Sequence, residues 1–553
     1  MQYELILHNY FRTKERTQTS IEALANIWQC STRYAKTIVQ RLQKQQIISW
    51  ETSRGRGKKP YITLQRTKLE TIYDSFHSYW QREQYEQAYT LLADYQLLNN
   101  PITQSWLQHH YGVQQSKNEE YIFRYPSYDV NLNLDPIKAL SRHDAHFIKQ
   151  IHETLFKFNE HTKKVEPNLI FHYETKDYKK WRFILRKGIL FHNLQPLTTS
   201  DIKHSLEQLT DLVAPYFQFL HIEIIHDHEI VITLSTPFAL LPNLLSSFRT
   251  VILPQDYTDG TIGCGAFMLA ENSEKRLQLK TFEHYFHTRP WIDGVDIIYT
   301  NHVTDFGISY KPYPNSVPQT EITFQEFGAE YIVLNCHNGP LKNCAMRETI
   351  YHLIKPNEFV LKEYNETVAT SWVPNQEKIT NVSSTLKVPA TNFPTLKIGY
   401  QQIREGANHL REAHIIQKQL EQYGIASSLE CVNLQSETKQ VDYSIDIFVG
   451  GVAVGRQQVL SILNIYLSHP SPFLSLLNRD NKQWLRGQLQ MIYTTSDTIQ
   501  IEKNFTEIEH RLQTIHCLKF LTHRQHCQYI RKDFPFRQVQ FDENGRIDYK
   551  KVF

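Results

Sequence analysis

The sequence predicts a multidomain protein, a small winged helix-turn-helix head followed by a much larger α/β body. Three observations carry the prediction. Two short helical patterns and then two strand-like runs succeed one another between Thr19 and Leu64. Positive charge gathers at the same end. From Glu120 the texture changes to strands alternating with helices. A chain of 553 residues is also too long for a single core.

Within the head, Tyr3 to Phe11 reads as a short apolar helix carrying Leu5, Ile6 and Tyr10. Thr19 followed three residues later by Glu22 matches a capping box, whose hydroxyl and carboxylate each satisfy one orphan amide at a helix start. Ile21, Leu24, Ala25 and Trp28 then recur at helical spacing. Cys30-Ser31 breaks the pattern, and Ser31 suits the N-cap of a second helix. That helix places Ala35, Ile38, Val39 and Leu42 on one face and Thr32, Arg33, Lys36, Thr37, Gln40, Arg41 and Lys44 on the other. Ile47–Thr52 and Tyr61–Leu64 read as strands flanking the basic turn Arg54-Gly55-Arg56-Gly57-Lys58-Lys59.

This arrangement suits double-stranded DNA. A helix fits the major groove, where exposed Arg, Lys, Gln and Thr reach base edges. Arg33, Lys36, Thr37 and Gln40 are the candidates for sequence readout, with Ser31, Thr32 and Arg41 beside them. A Gly-rich turn lets backbone approach phosphates, which Arg54, Arg56, Lys58 and Lys59 would neutralise there or in the minor groove. Residues 1–66 hold twelve Lys/Arg against four Asp/Glu, whereas the rest of the chain holds 48 against 53. The near-neutral total therefore hides one cationic end.

After the head, Leu69, Ile72, Tyr73, Phe76 and Trp80, then Tyr85, Ala88, Tyr89, Leu92 and Tyr95, sit at helical spacing until Asn99-Asn100-Pro101 stops the pattern. The expected division is 1–66 head, 67–112 helical connector and 113–553 ligand-sensing body. In the body, helices are expected at Ala139–Thr154, Thr199–Leu212, Arg347–Ile354 and Ala407–Tyr423. They alternate with strands at Trp181–Leu185, Ile230–Leu234, Tyr331–Leu334, Leu396–Tyr400 and Ile445–Val449, among others. Val373–Pro394, rich in Ser, Thr, Asn and Pro, reads as a loop.

Composition excludes several classes. No stretch approaches a membrane span, and the N-terminus lacks the features of a signal peptide, so a cytoplasmic protein without membrane partners is expected. Seven scattered cysteines fit reduced thiols better than a disulfide frame. Cys336-His337 with Cys344, and His516-Cys517, His523 and His526-Cys527, carry metal donors without paired spacing, so neither a metal nor a cofactor is expected. No nucleophile elbow, P-loop or HExxH helix appears, and an enzyme is not expected.

Several ordered motifs then resemble known families. The Cys30-Ser31 turn and the Ile48-Ser49-Trp50-Glu51 and Arg54–Lys58 wing look like the N-terminal domain of SgrR-type transcriptional regulators, as does the ending Asp542–Tyr549. The body resembles solute-binding protein family 5, of the oligopeptide/dipeptide/nickel ABC-transporter type. The resemblance rests on Glu153–Phe156, on Trp181–Asn193 with Leu197–Ile202, on Gly263-Cys264-Gly265-Ala266-Phe267, and on Tyr331–Asn335 with Met346–Ile350. Ala266 stands where that family often has Pro, and Asn193-Leu194 replaces its usual turn.

The resemblance implies a two-lobed, periplasmic-binding-protein-like body closing on a small ligand, a sugar phosphate or a peptide. It also implies a transcription regulator whose closure shifts the helical connector and so alters either DNA affinity or contact with RNA polymerase; the oligomeric state stays open. The alternative is an extracytoplasmic ABC-transporter substrate-binding protein for peptides or nickel, which the basic head opposes. Ligands of α/β lobes sit at the carboxyl ends of strands. Tyr125 and Tyr128, Gln401 and Arg404, and Gly450-Gly451 are expected in such loops. Arg404 would grip a carboxylate or phosphate through its fork, and the glycines would let backbone approach the ligand.

Overall fold

Where helical periodicity breaks at Cys30-Ser31, the chain changes direction between two helices. The head contains α1 (Tyr3–Leu7), α2 (Ile21–Ile27) and α3 (Thr32–Lys44). Its strands β1 (Thr17–Gln18), β2 (Ile48–Glu51) and β3 (Tyr61–Leu64) form an antiparallel sheet in the order β1-β3-β2. This computed structural model describes residues 3–52, 58–116, 119–128, 132–139, 141–159, 162–256, 259–302, 306–314, 316–362, 365–374, 393–404, 407–433, 444–455, 457–467, 471–534, 538–542 and 545–553. Arg54 and Arg56, and most of the expected Val373–Pro394 loop, lie outside the described residues.

The start of α2 differs from the expected capping box. Ser20 is the N-cap, its Oγ accepting from Ala23 N at 3.2 Å, while Thr19 is buried. Ser31 caps α3 as expected, accepting from Tyr34 N at 3.3 Å. Ala35, Ile38, Val39 and Leu42 are buried against Leu7, Leu24, Trp28, Ile48 and Ile62. At two residues, β1 is too short to show alternation in sequence, and it exists through its pairing with β3.

Three helices follow: α4 (Lys68–Gln81), α5 (Tyr85–Asp94) and α6 (Pro101–Gln108). Asn99-Asn100-Pro101 does more than end a helix. Asn100 caps α6, accepting from Ile102 N at 2.9 Å, and Pro101 occupies the first helical turn, where its missing N–H costs nothing. The aromatic stripe is core: Phe76, Trp80 and Tyr89 are buried, and Trp80 meets Trp106 edge to face at 4.8 Å.

These helices share one compact unit with the head. That unit spans Met1–Asn131, Ala270–Leu279 and Gly294–Phe306. The division falls elsewhere than the expected boundary at 112/113, and strand pairing explains why. β4 (Gly112–Gln115) pairs with β5 (Tyr121–Ser127), and β5 pairs in parallel with Gly294–Tyr299 in a five-stranded sheet. Arg124 Nε donates to the buried Asp296 at 2.8 Å across that pairing. Arg276 reaches Glu83 in the α4–α5 turn at 2.9 Å.

The second unit comprises Leu132–Leu269, Lys280–Asp293 and Gly307–Phe553. It holds a four-stranded antiparallel sheet of Ile170–Thr175, Lys180–Leu185, Phe219–His226 and Glu229–Leu234. The Trp181–Asn193 segment is scaffold here. Trp181 is buried with its Nε1 donating to Tyr178 O at 3.0 Å. His192 accepts from Gly263 N at 3.3 Å and lies 3.1 Å from Gly265 O. A Cβ at Gly265 would stand 2.6 Å from the Ile151 carbonyl carbon, which explains the glycine there.

A second sheet in this unit is mixed. Leu396–Arg404 runs parallel to both Ser427–Asn433 and Ile447–Val454. Phe327–Leu334 is antiparallel to Ile447–Val454 and to Leu518–Phe520. Ile332, Leu334, Ile398, Ile447 and Val449 pack there against Ile350, Ile416 and Leu420 of the helices Cys344–Leu353 and Leu410–Glu421. All seven cysteines are free thiols. Among the described residues no helix is long and apolar enough to cross a membrane.

Candidate functional site

Two sites take shape, one in each unit. The first is the outer face of α3. Ser31, Thr32, Arg33, Lys36, Thr37, Gln40 and Arg41 are all exposed there, opposite the buried stripe. Ser31 Oγ is already engaged in capping, and Thr37 Oγ1 donates to Arg33 O at 3.4 Å. The remaining polar ends project from a helix fixed on its opposite face by packing. Lys58 and Lys59 are exposed, just before β3. Arg16 braces the wing, pairing with Glu51 at 2.6 Å and lying 3.9 Å over the Tyr61 ring.

The second site is a recess of about 90 Å³ lined by Glu326, Glu330, His409, Gly451, Thr522 and Arg524, among others. A recess of this size holds ordered water or one end of a small solute. Glu330 is the lining residue that pairs with two others. Its carboxylate sits 2.8 Å from His409 Nε2 and 2.6 Å from Arg524 Nη2. Glu330 and His409 are buried, whereas the Arg524 side chain is about half exposed. Burial opposes the His409 charge, but the hydrogen bond and charge of Glu330, with Glu412, outweigh it and raise the imidazole above its ordinary pKa. Partial desolvation opposes the Arg524 charge, but the Glu330 carboxylate, with Glu326, Glu412 and Glu366, outweighs it and raises the guanidinium pKa.

The structure corrects the expected loops around this recess. Gln401 and Arg404 lie within the strand Leu396–Arg404, whose end pairs with Ala407–Asn408, and Gly450 and Gly451 lie within Ile447–Val454, which stays paired with Phe327–Leu334 along its whole length. Nothing of the Arg404 side chain is described. The glycines admit the protein's own side chains. A Cβ at Gly451 would stand 2.3 Å from Glu330 Oε2, and one at Gly450 would stand 2.5 Å from Gln401 Oε1. Gln401 Oε1 in turn accepts from Gly451 N at 3.1 Å.

Gln401, Gly450 and Gly451 are thus brought together, while Tyr125 and Tyr128 belong to the other unit. Tyr125 lies within β5, half buried and stacked on Phe306 at 5.2 Å; Tyr128 is exposed. Glu330, His409 and Arg524 are the residues the sequence did not single out. The available signal was the glycine pair itself, two positions in a buried strand without room for a Cβ.

The metal donors noted in the sequence also separate. Cys336 and Cys517 are buried, and each has its Sγ near the Leu334 carbonyl. His523 is buried and hydrogen-bonded to Gly328 O at 2.7 Å. His516 instead meets Glu348 and His352, whose spacing of four on one helix was legible.

A small helical and winged head joined to a mixed-sheet binding body defines a class of two-part chain. Residues 164–471 match the family described as bacterial extracellular solute-binding proteins, family 5 middle domain. Residues 1–118 match the sugar transport-related sRNA regulator N-terminal domain. The chain belongs to solute-binding family 5 and has the SgrR-type regulator architecture.

The chain is 26% identical over 562 aligned residues to the uncharacterized protein YhjP of Bacillus subtilis, with 98% of this chain and 96% of that one covered. It is 30% identical over 292 residues to the HTH-type transcriptional regulator SgrR of Pectobacterium atrosepticum, with 51% of each chain covered. The match therefore spans about half the length of that regulator. Among solved structures, NikA from Brucella suis in complex with Fe(III)-EDTA superposes with a TM-score of 0.61 at 14% identity, covering 78% of this chain and 99% of that one. The murein tripeptide binding protein MppA of Escherichia coli gives 0.60 at 15% identity, covering 79% and 98%. At these identities the likeness establishes the shared fold.

Proposed function

We propose that this protein is a cytoplasmic transcription regulator that grips double-stranded DNA through residues 1–66 and senses a small solute in its body. The connector 67–112 would transmit the solute's effect to DNA affinity or to contact with RNA polymerase. The observation that carries the reading is the exposed face of α3, with Arg33, Lys36, Thr37, Gln40 and Arg41 opposite an apolar stripe packed on the rest of the head. The SgrR relatives, which bear the name HTH-type transcriptional regulator, support the same assignment.

For the body, the recess beside Gln401 and Gly451 would receive the charged end of a sugar phosphate or a short peptide, meeting Glu330, His409 and Arg524. Arg404, on the strand that also carries Gln401, remains a candidate ligand contact of this reading. A solute acts only through a difference in its affinity for two states of the regulator, typically about 1–3 kcal/mol of coupling.

The test selects genomic duplexes with the full-length chain and measures their binding by fluorescence anisotropy, with and without a sugar phosphate or a dipeptide. Sequence-selective binding that one of these solutes shifts about 5- to 150-fold is the expected result. Absence of sequence-selective binding, with the chain recovered outside the cytoplasm on fractionation, would establish the transport receptor instead.

A further inference from the structure

We infer that Glu348, His352 and His516 form a binding site for one divalent transition-metal ion, zinc being the best fit. The site shares no residue with the recess around Glu330, and it goes beyond DNA binding and solute sensing. The three side chains each offer one donor atom, and these atoms lie within 4.8 Å of one another. In a tetrahedral zinc site the ligand atoms stand about 3.4 Å apart, so small side-chain rotations would close the set. Two imidazoles and one carboxylate suit zinc, and three protein ligands leave a fourth position for water or another small ligand.

Backbone geometry presents the donors from two fixed elements. Glu348 and His352 are four residues apart on the helix Cys344–Leu353, hence on one face. His516 follows the helix Thr498–Thr514 in the left-handed region, with φ of 55°. His516 N donates to Gln513 O at 2.9 Å and Cys517 N to Leu512 O at 2.9 Å, closing the helix end. Glycine is the residue that takes such a position without strain, yet a histidine holds it. Its Nδ1 is buried without a hydrogen-bond partner among the described residues, and its ring lies 5.4 Å from that of His352 and 5.0 Å from that of Tyr351.

The neighbours hold this geometry. Arg347 Nε donates to Ile515 O at 3.0 Å, clamping the residue before His516 to the helix that carries Glu348 and His352. Lys519 Nζ donates to Tyr351 O at 2.5 Å, fixing the last turn of that helix to the following strand. Both cations oppose a metal, and the Glu348 carboxylate offsets part of their charge.

The experiment uses the full-length chain stripped with a chelator and titrated with zinc against a competing chromophoric chelator. Cobalt is then substituted to read the ligand field by visible absorption. With 26 histidines in the chain, the informative quantity is the difference between variants. The parent is expected to take up one tight equivalent. His352→Ala, His516→Ala and Glu348→Gln are each expected to weaken it at least tenfold and to change the cobalt spectrum, while His337→Ala leaves both unchanged. Glu348 is exposed, so its glutamine variant keeps the fold, as circular dichroism would verify. A parent with no tight equivalent would overturn the inference, as would a His352→Ala/His516→Ala double variant that binds zinc as the parent does.

Discussion

Replacing Gly451 by alanine tests the recess most sharply, because the geometry leaves the new methyl no room. An added Cβ would stand 2.3 Å from Glu330 Oε2 and 2.6 Å from its Cδ. Either the carboxylate moves or the strand Ile447–Val454 shifts from Phe327–Leu334, where Gly451 pairs with Glu330 itself. Moving the carboxylate strains its 2.8 Å contact with His409 and its 2.6 Å contact with Arg524. Breaking a buried ion pair costs about 3–5 kcal/mol and overpacking a core about 1–3 kcal/mol. Because Arg524 is half exposed, its pairing is discounted, and a destabilisation of about 3 kcal/mol is expected.

The pH dependence separates the ion pair from simple crowding. His409 has a raised pKa in the folded protein, so its pairing contributes fully below the unfolded value near 6.5 and fades as pH rises through the folded value. The deficit of Gly451→Ala is therefore largest at pH 6 and shrinks in alkaline buffer. Urea unfolding of parent and variant at several pH values measures it. A variant within about 0.5 kcal/mol of the parent throughout, the range of an ordinary surface substitution, would refute the reasoning.

Two further outcomes follow from single residues. Ser31→Ala removes the cap of α3 and should cost about 1 kcal/mol in denaturant unfolding of the full-length chain, whereas Thr19→Ala should leave the α2 cap intact because Ser20 supplies it. Glu509 is buried and its carboxyl is pushed up to about 8 by desolvation. The unfolded chain releases that proton near pH 4.5, so stability declines as pH rises from there through 8. At 1.36 kcal/mol per pH unit, the parent should lose about 3 kcal/mol more than Glu509→Gln between pH 4.5 and 7, read by parallel urea titrations. Equal pH slopes would contradict it.

Local signals were legible where one short stretch decides its own structure. Ser31 capped a helix, Ala35, Ile38, Val39 and Leu42 formed its buried stripe, and Tyr61–Leu64 paired as a strand. Long-range pairing was not legible. Nothing near Tyr121 shows that Gly294–Tyr299 will lie beside it, so the unit boundary escaped a reading along the chain. The recess failed for a related reason. Gly450-Gly451 was readable as a place of close approach, but the groups that approach are the chain's own Gln401 at Gly450 and Glu330, more than a hundred residues earlier, at Gly451. His516 looked like one of many scattered histidines until the fold set it against the Glu348–His352 spacing.

The central claim is that α3 reads base sequence while the basic wing holds phosphates. Anisotropy titrations of the full-length chain on a selected duplex and a scrambled one, over a range of salt, test it directly. Lys36→Ala or Gln40→Ala should cost about 1–3 kcal/mol on the selected duplex and little on the scrambled one. Lys58→Ala should weaken both alike and reduce the salt slope by about one. If all three variants bind both duplexes as the parent does, with the same salt slope, the head does not read DNA through this face.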